Sequence, residues 1–288
     1  MSRLAKLQLL ARQLVEGLAT GLHRSPHKGA SVAFKQHRPY VPGDEIRRLD
    51  WRVFARTDRY YIREYEQETN LQAMLLVDVS GSMNYAGRNA TQTKAQYACA
   101  IAAGLGRLLI GQQDAVGVLT FDTRIRTFIP PRSRPGHLRV LNEALSREQP
   151  GGETAIHTVL RELAPRIGRR NLLVLISDCL DETGPLLRAL AQLRHQHHEM
   201  LLFHVLDRDE LEFPFSGWTR FESLEKDDDQ LTTDPASLRR TYFENLAQFQ
   251  AALKKGCTSN RIGLHPMVTD EPVEPALAAH LTRRLERG

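Results

Sequence analysis

Residues 71–83 read LQAMLLVDVSGSM. An apolar run over 71–77 stops abruptly at Asp78-Val79-Ser80-Gly81-Ser82. A short apolar run bounded by turn residues predicts a buried strand. Just past its end stand one carboxylate and two hydroxyls at alternate positions. Alternate residues of extended backbone face the same way, so Asp78, Ser80 and Ser82 can converge on one point. In an open α/β sheet, the ends of the strands on that side are where ligands bind. The donors are all hard oxygens, with no His or Cys among them, which suits Mg²⁺ or Mn²⁺ and not Zn²⁺.

Downstream, the pattern repeats. Residues 115–121 (AVGVLTF), 171–176 (NLLVLI) and 199–206 read as buried strands, 264–269 as a last strand, and 124–129 as a weakly alternating edge strand. Between and after them, the spacing predicts helices over 93–112, 135–147, 154–166, 185–197, 235–255 and 274–287. Strands alternating with helices imply βαβ units and a mainly parallel sheet. Right-handed crossovers then cover both of its faces, giving a doubly wound α/β fold. Two more oxygen donors belong at the edge that carries Asp78. Thr154 follows Gly151-Gly152 and opens a helix, and Asp178 directly follows a buried strand. Asp78, Ser80, Ser82, Thr154 and Asp178 thus supply five oxygen-bearing side chains from three loops.

Upstream, residues 4–22 place Leu4, Leu7, Leu10, Leu14, Val15 and Leu18 at helical spacing with charges between them, an amphipathic helix. Such a helix can lie on a membrane or a partner, but packing on its own domain is the commoner use. Residues 23–68 are dense in Arg and His and poor in hydrophobics, with a turn at Pro42-Gly43-Asp44 and a short strand expected near 60–65. Aromatics among arginines can bind nucleic acid. However, Asp44, Glu45, Asp50, Asp58, Glu64 and Glu66 are interleaved with those arginines, so local ion pairing is the better reading, with Trp51 as an anchor. The expected division is a small N-terminal module over 1–66 and an α/β domain over 67–288.

Bulk properties narrow the class. The chain has 288 residues, 41% hydrophobic and 25% charged, with a net charge of +5, ordinary for a globular protein. Cys99, Cys179 and Cys257 are odd in number and far apart, with no CxxC pair, so neither a disulfide framework nor a zinc site is expected. No apolar run approaches the roughly 18 residues of a membrane helix, and Arg3, Lys6, Arg12 and Glu16 interrupt any signal-peptide core. A cytoplasmic protein is the simplest expectation.

The order Asp78-x-Ser80-x-Ser82, then Thr154, then Asp178 resembles the metal-ion-dependent adhesion site of von Willebrand factor type A domains. The flanks extend the likeness. The segment Arg38-Pro-Tyr40-Val-Pro42-Gly43-Asp44-Glu-Ile-Arg47-Arg-Leu-Asp50-Trp51 and the later LDRDELEFPFSGWTRFESLE are similar to the domain-of-unknown-function-58 family. The resemblance implies a von Willebrand factor type A-like fold and a non-enzymatic protein-interaction module. It also implies a MoxR-type AAA+ ATPase as partner, in chaperone-like maturation or activation of other proteins. The implied ion is Mg²⁺ or Mn²⁺, with Ser80, Ser82 and Thr154 as neutral donors and Asp78 and Asp178 bound directly or through water. An acidic residue from a protein partner would complete the shell. Cys179 departs from the pattern, standing where many such domains have Gly.

Other readings are weaker. Asp78 at a strand end resembles the nucleophile of aspartate-dependent phosphatases, but the second acid such enzymes carry two residues on is here Ser80. No GxSxG, HExxH or GxxxxGK[ST] motif occurs, and Gly104-Leu-Gly106 lies within a helical stretch. His195, His197 and His198 fall at a helix C-terminus, where cationic or polar side chains are favourable without a metal. Residues 213–221 (FPFSGWTRF) form either an exposed aromatic docking patch or a tucked-in loop, followed by the acidic run Asp227–Asp229.

Overall fold

A computed structural model describes residues 32–41, 49–67, 71–134, 136–168, 170–225 and 230–277. The expected helix over 4–22, the acidic run after residue 226 and the end of the chain lie outside these residues. The described residues form two units, one drawn from 23–70 and one from 71 onward.

The smaller unit pairs β1 (Val32–Pro39) antiparallel with β2 (Tyr61–Gln67), with α1 (Trp51–Thr57) between them in sequence. Only β2 was expected from the sequence, because Arg and His obscure the alternation of β1. Asp50 is buried and its carboxylate accepts the Val53 amide at 3.3 Å, starting α1. The anchor is not Trp51, which is 58% exposed. Instead Phe54 stacks on Tyr60 at 4.6 Å between ring centres. The acids and arginines of 42–48 lie outside the described residues.

The larger unit is built on a six-stranded sheet. Its strands are β3 (Gln72–Asp78), β4 (Ala115–Phe121), β5 (Ile125–Arg132), β6 (Leu172–Ser177), β7 (Glu199–Leu206) and β10 (Gly263–Val268). The spatial order is β10-β7-β6-β3-β4-β5, all parallel except β5. The lone antiparallel strand is an edge, as its weak pattern predicts, and it carries Pro130 and Pro131, which an edge tolerates. Chain order runs outward from β3 through β4 to β5, then reverses through β6, β7 and β10. Asp78 and Asp178 end or follow the two strands at this switch point, where a doubly wound sheet opens its crevice.

The central strands are apolar on both faces because helices cover both. Ala73, Leu75 and Val77 of β3 pack in a core with Tyr97, Ala98, Ile101 and Leu105 of α2 (Lys94–Gly111) and Leu141 and Leu145 of α3 (His137–Arg147). Met74 and Leu76 face the other way. They meet Val159 and Leu163 of α4 (Ile156–Leu163), Leu186 and Leu190 of α5 (Thr183–His195), and Leu253 of the long α7 (Pro235–Ser259). Each Val, Leu, Ile or Met side chain among them contributes about 1.5–3 kcal/mol on burial, which is why a continuous apolar run marks these strands. Helix α4 is shorter than expected at both ends. Thr154 and Ala155 remain in the loop, and Pro165 turns the last residues into a 3-10 segment, Ala164–Arg166.

Two elements were not expected. Helix α6 (Arg208–Glu212) follows β7 and is capped by Asp207 in a capping box with Glu210. An antiparallel hairpin, β8 (Thr219–Glu222) with β9 (Gln230–Thr233), then precedes α7 (Pro235–Ser259). The aromatic stretch before β8 is both tucked in and exposed. Phe213 is buried against Phe215, Phe221 and Tyr242, whereas Trp218 is 82% exposed.

At the start of β4, burial pushes the carboxyl of Asp114 up to about 7, with a backbone hydrogen bond involving Leu71 working the other way. An acid raised above its unfolded value binds more protons when folded, so its contribution is fully present at acid pH and is lost as pH rises from about 4 to about 7. Asp114→Asn is therefore expected to be more stable than wild type at pH 8 by about 1 kcal/mol or more and near-neutral at pH 4, read from urea unfolding at the two pH values.

Candidate metal centre

Beyond β3 the chain cannot continue straight, because Asp78 is buried and draws the following loop back on itself. Its Oδ1 accepts the Ser80 amide at 3.0 Å, and its Oδ2 accepts the Ser177 hydroxyl at 2.6 Å. This fold-back places Ser80 Oγ and Ser82 Oγ 3.2 Å apart. The loop is tied to the neighbouring 150–154 loop by two backbone bonds, Gly81 N to Gly152 O at 2.8 Å and Gly151 N to Val79 O at 3.0 Å. On the far side of β3, Asp178 is also buried; the Leu180 amide donates to its Oδ1 at 3.2 Å, and Ser82 hydrogen-bonds its carboxylate. Thr154, in the third loop, donates its hydroxyl to Glu225 Oε1 at 3.1 Å. The loops bearing the five predicted residues thus meet at one edge of the sheet, with Ser80, Ser82, Asp78 and Asp178 directly linked through hydrogen bonds.

Four participants escaped the sequence reading. Ser177, the last residue of β6, bonds Asp78. Lys94, the first residue of α2, is 1% exposed, and its Nζ donates to Asp178 Oδ2 at 2.8 Å and to Glu210 Oε1 at 2.6 Å. Glu210 lies on α6, and Glu225 on the loop after β8. The capping threonine Thr93 and its capping-box partner Gln96 were legible signals for where α2 starts, but not for the direction in which Lys94 points.

The electrostatics follow from burial. Burial and the charge of Asp178 together raise Asp78 above the usual carboxylate range, against the hydrogen bonds from Ser177 and Ser80. Burial also disfavours charge on Asp178, but the Lys94 ammonium outweighs it and holds Asp178 low. Lys94 is likewise opposed by burial and held above its usual range by Asp178 and Glu210. His204 Nε2 donates to the Asp178 backbone carbonyl at 3.0 Å, and burial lowers its pKa. Cys179 has φ +58°, the left-handed region that glycine occupies without cost, which accounts for the usual Gly there. Its amide donates to Ser177 Oγ at 2.8 Å, and its buried thiol lies 3.9 Å from the Ser177 carbonyl oxygen.

The donor chemistry fits a small hard cation. A regular octahedron with metal–oxygen distances of about 2.1 Å has neighbouring oxygens about 3 Å apart, close to the Ser80–Ser82 spacing. Among the described residues no group of three His, Cys, Asp or Glu is arranged to hold a metal, so a cation here would rest on hydroxyls as much as on acids. Of the histidines at the end of α5, His198 is buried and its Nδ1 accepts the Asn171 amide at 3.2 Å.

Fold and edge together define a doubly wound α/β domain whose crevice is lined by hydroxyls and buried carboxylates. Residues 36–252 match the family model described as "Protein of unknown function DUF58". The chain belongs to the DUF58 family. It is 30% identical over 222 residues to an uncharacterized protein of Mycobacterium tuberculosis and to one of Mycobacterium bovis, covering 74% of this chain and 67% of each relative. Among solved structures, it is similar to the conserved hypothetical protein BatB from Bacteroides thetaiotaomicron, with TM-score 0.48 and 16% identity over 76% of this chain and 100% of that one. A von Willebrand factor type A protein from Catenulispora acidiphila gives TM-score 0.42 and 15% identity over 77% of this chain and 43% of the other. No helix among the described residues is long and apolar enough to cross a membrane.

The buried ion pairs make a stability prediction. Truncating one member of a buried pair leaves an uncompensated charge and costs about 3–5 kcal/mol. Lys94→Ala is expected to lose that much in metal-free buffer at pH 7, measured by urea unfolding. A loss below about 1 kcal/mol would show that Asp178 and Glu210 are neutralised without it.

Proposed function

We propose that the chain is a metal-dependent protein-interaction module whose partner supplies an acidic side chain. The observation that carries this reading is the convergence of Ser80 Oγ and Ser82 Oγ, 3.2 Å apart, beside buried Asp78 and Asp178 at the switch point of the sheet. Ser80, Ser82 and Thr154 would hold Mg²⁺ or Mn²⁺ as neutral donors, with Asp78 and Asp178 fixing them from behind or binding directly. The cation would supply Lewis acidity towards a carboxylate. The chain's own contribution is rigidity: Ser80 N and Ser177 Oγ hold both oxygens of Asp78, while Lys94 and Leu180 N hold those of Asp178. With so much of the negative charge already engaged, an ion held by hydroxyls retains attraction for an outside acid. The family resemblance in the sequence suggests the partner system, a MoxR-type AAA+ ATPase acting with this chain in the maturation or activation of other proteins.

Hydrolysis is the second reading, and the geometry disfavours it. Asp78 has both oxygens committed to hydrogen bonds and is not free to attack a phosphoryl group. His204 spends its Nε2 proton on the Asp178 carbonyl, so that nitrogen is not positioned as a general base. The nucleic-acid reading rests on the basic 23–63 segment, part of which lies outside the described residues, and it predicts steeply salt-dependent retention on DNA.

The deciding experiment is a pull-down from native lysate with Mg²⁺, with EDTA, and with Ser80→Ala. The expected result is an AAA+ ATPase retained only by the wild type in Mg²⁺. Equal capture in all three arms would remove the metal from recognition, and Mg²⁺-dependent phosphatase turnover abolished by Asp78→Ala would replace the binding module with an enzyme.

A further inference from the structure

The hairpin β8–β9 brings a carboxylate of the chain itself to the candidate metal centre. Glu225 Oε1 accepts the Thr154 hydroxyl at 3.1 Å, 71 residues away in sequence, and Ser223 Oγ accepts the Glu225 amide at 3.3 Å, shaping the turn that presents it. One residue earlier, the Leu224 carbonyl lies directly on the Asp78–Ser82 loop. A Cβ added at Gly81 would stand 1.9 Å from Leu224 O. The chain therefore touches two of the three site loops with consecutive residues, one through backbone packing and one through an acid. Apart from Phe221, which packs on Phe213 and Phe215, the hairpin is thinly held: its strands have four residues each, and Leu224 and Leu231 are 45% and 53% exposed. Short two-stranded ribbons have little stability of their own.

We propose that Glu225 is an internal stand-in for the partner's acid, closing the metal face until an incoming carboxylate displaces it. This rests on the metal-dependent reading above. By donating its proton to Glu225, Thr154 turns its lone pairs elsewhere, so the same contact that latches the hairpin also orients Thr154 as a donor. Glu225 adds a carboxylate beside Thr154, on the loop whose backbone is bonded to the Asp78–Ser82 loop. A cation held with Thr154 among its donors would attract that carboxylate, which couples closure of the hairpin to the metal. A partner's acid then competes with an intramolecular group at high effective concentration, and binding requires a hairpin that can yield.

The test uses the full chain and Mn²⁺ alone as probe, with affinity measured by calorimetry and metal-coordinated water counted by water-proton relaxation. Wild type, Ser80→Ala, Glu225→Ala and Glu225→Gln are compared, with far-UV circular dichroism as the folding control. Wild type is expected to bind Mn²⁺ and Ser80→Ala to lose it. Both Glu225 variants are expected to bind about tenfold more weakly, in the range seen when groups supporting a metal's ligands are removed, with higher relaxation enhancement from added water. Acetate should lower that enhancement in Glu225→Ala by filling the vacated place, and leave wild type unchanged. Mn²⁺ bound by wild type and lost in Ser80→Ala, but with the same affinity, enhancement and acetate response in wild type and the Glu225 variants, would overturn the stand-in and leave the metal reading intact. No Mn²⁺ binding by wild type would overturn both.

Discussion

Two carboxylates, Asp78 and Asp178, stand almost wholly out of water at neighbouring strand ends, and much of the surrounding structure answers to that constraint. Burying an acid without partners is prohibitively costly, and burying two side by side adds their repulsion. The fold meets the first with an ammonium from α2 and the second with hydrogen bonds from Ser177, Ser80 N and Leu180 N. Lys94 in turn requires α2 to begin where it does, which the Thr93 capping box secures. Glu210 requires α6, which the Asp207 capping box secures. Local helix-start signals are thus harnessed to a long-range charge balance.

The same logic extends along the edge past β7. Asp207 accepts the Gly87 amide at 3.0 Å and the Thr269 hydroxyl at 2.7 Å, and Asp209 accepts the Arg88 amide at 3.0 Å. The loop leading into α2, the start of α6 and the end of β10 are thereby clamped together. Gly87 has no room for a side chain there, since a Cβ would meet Asp207 Oδ1 at 2.0 Å. The LDRDE stretch at 206–210 is the acidic side of that clamp and the source of one partner of Lys94.

Legibility in the sequence tracked the range of the interactions involved. Strands β4 and β7 fell at the expected residues because burial on both faces leaves a continuous apolar run between turn residues. The meeting of the loops that carry Asp78, Ser80, Ser82, Thr154 and Asp178 was legible because strand ends on one side of a parallel sheet must share an edge. Lys94, Glu210 and Glu225 were not. A lysine at the head of an amphipathic helix carries the same signature whether it faces water or a carboxylate 84 residues away. The hairpin was missed because four-residue strands rich in Thr, Arg and Glu show no burial pattern. Trp51 misled for a related reason: a large aromatic suggests an anchor, whereas Phe54 and Tyr60 provide the stacked pair while the indole remains exposed.

Between two serines at a turn, glycine is usually explained by backbone freedom, yet Gly81 has φ −60° and ψ −41°, a conformation open to any residue. What most excludes a side chain is the Leu224 carbonyl, 1.9 Å from an added Cβ, with the Gly152 carbonyl next at 3.0 Å. The glycine of the Ser-Gly-Ser turn is therefore a spacing device between the hydroxyl loop and the β8–β9 hairpin, imposed from more than a hundred residues downstream. The Gly152 carbonyl belongs to the neighbouring site loop, so that loop crowds the position as well. Here the turn and the segment that covers it constrain each other, and the chemistry of the edge is described by both together.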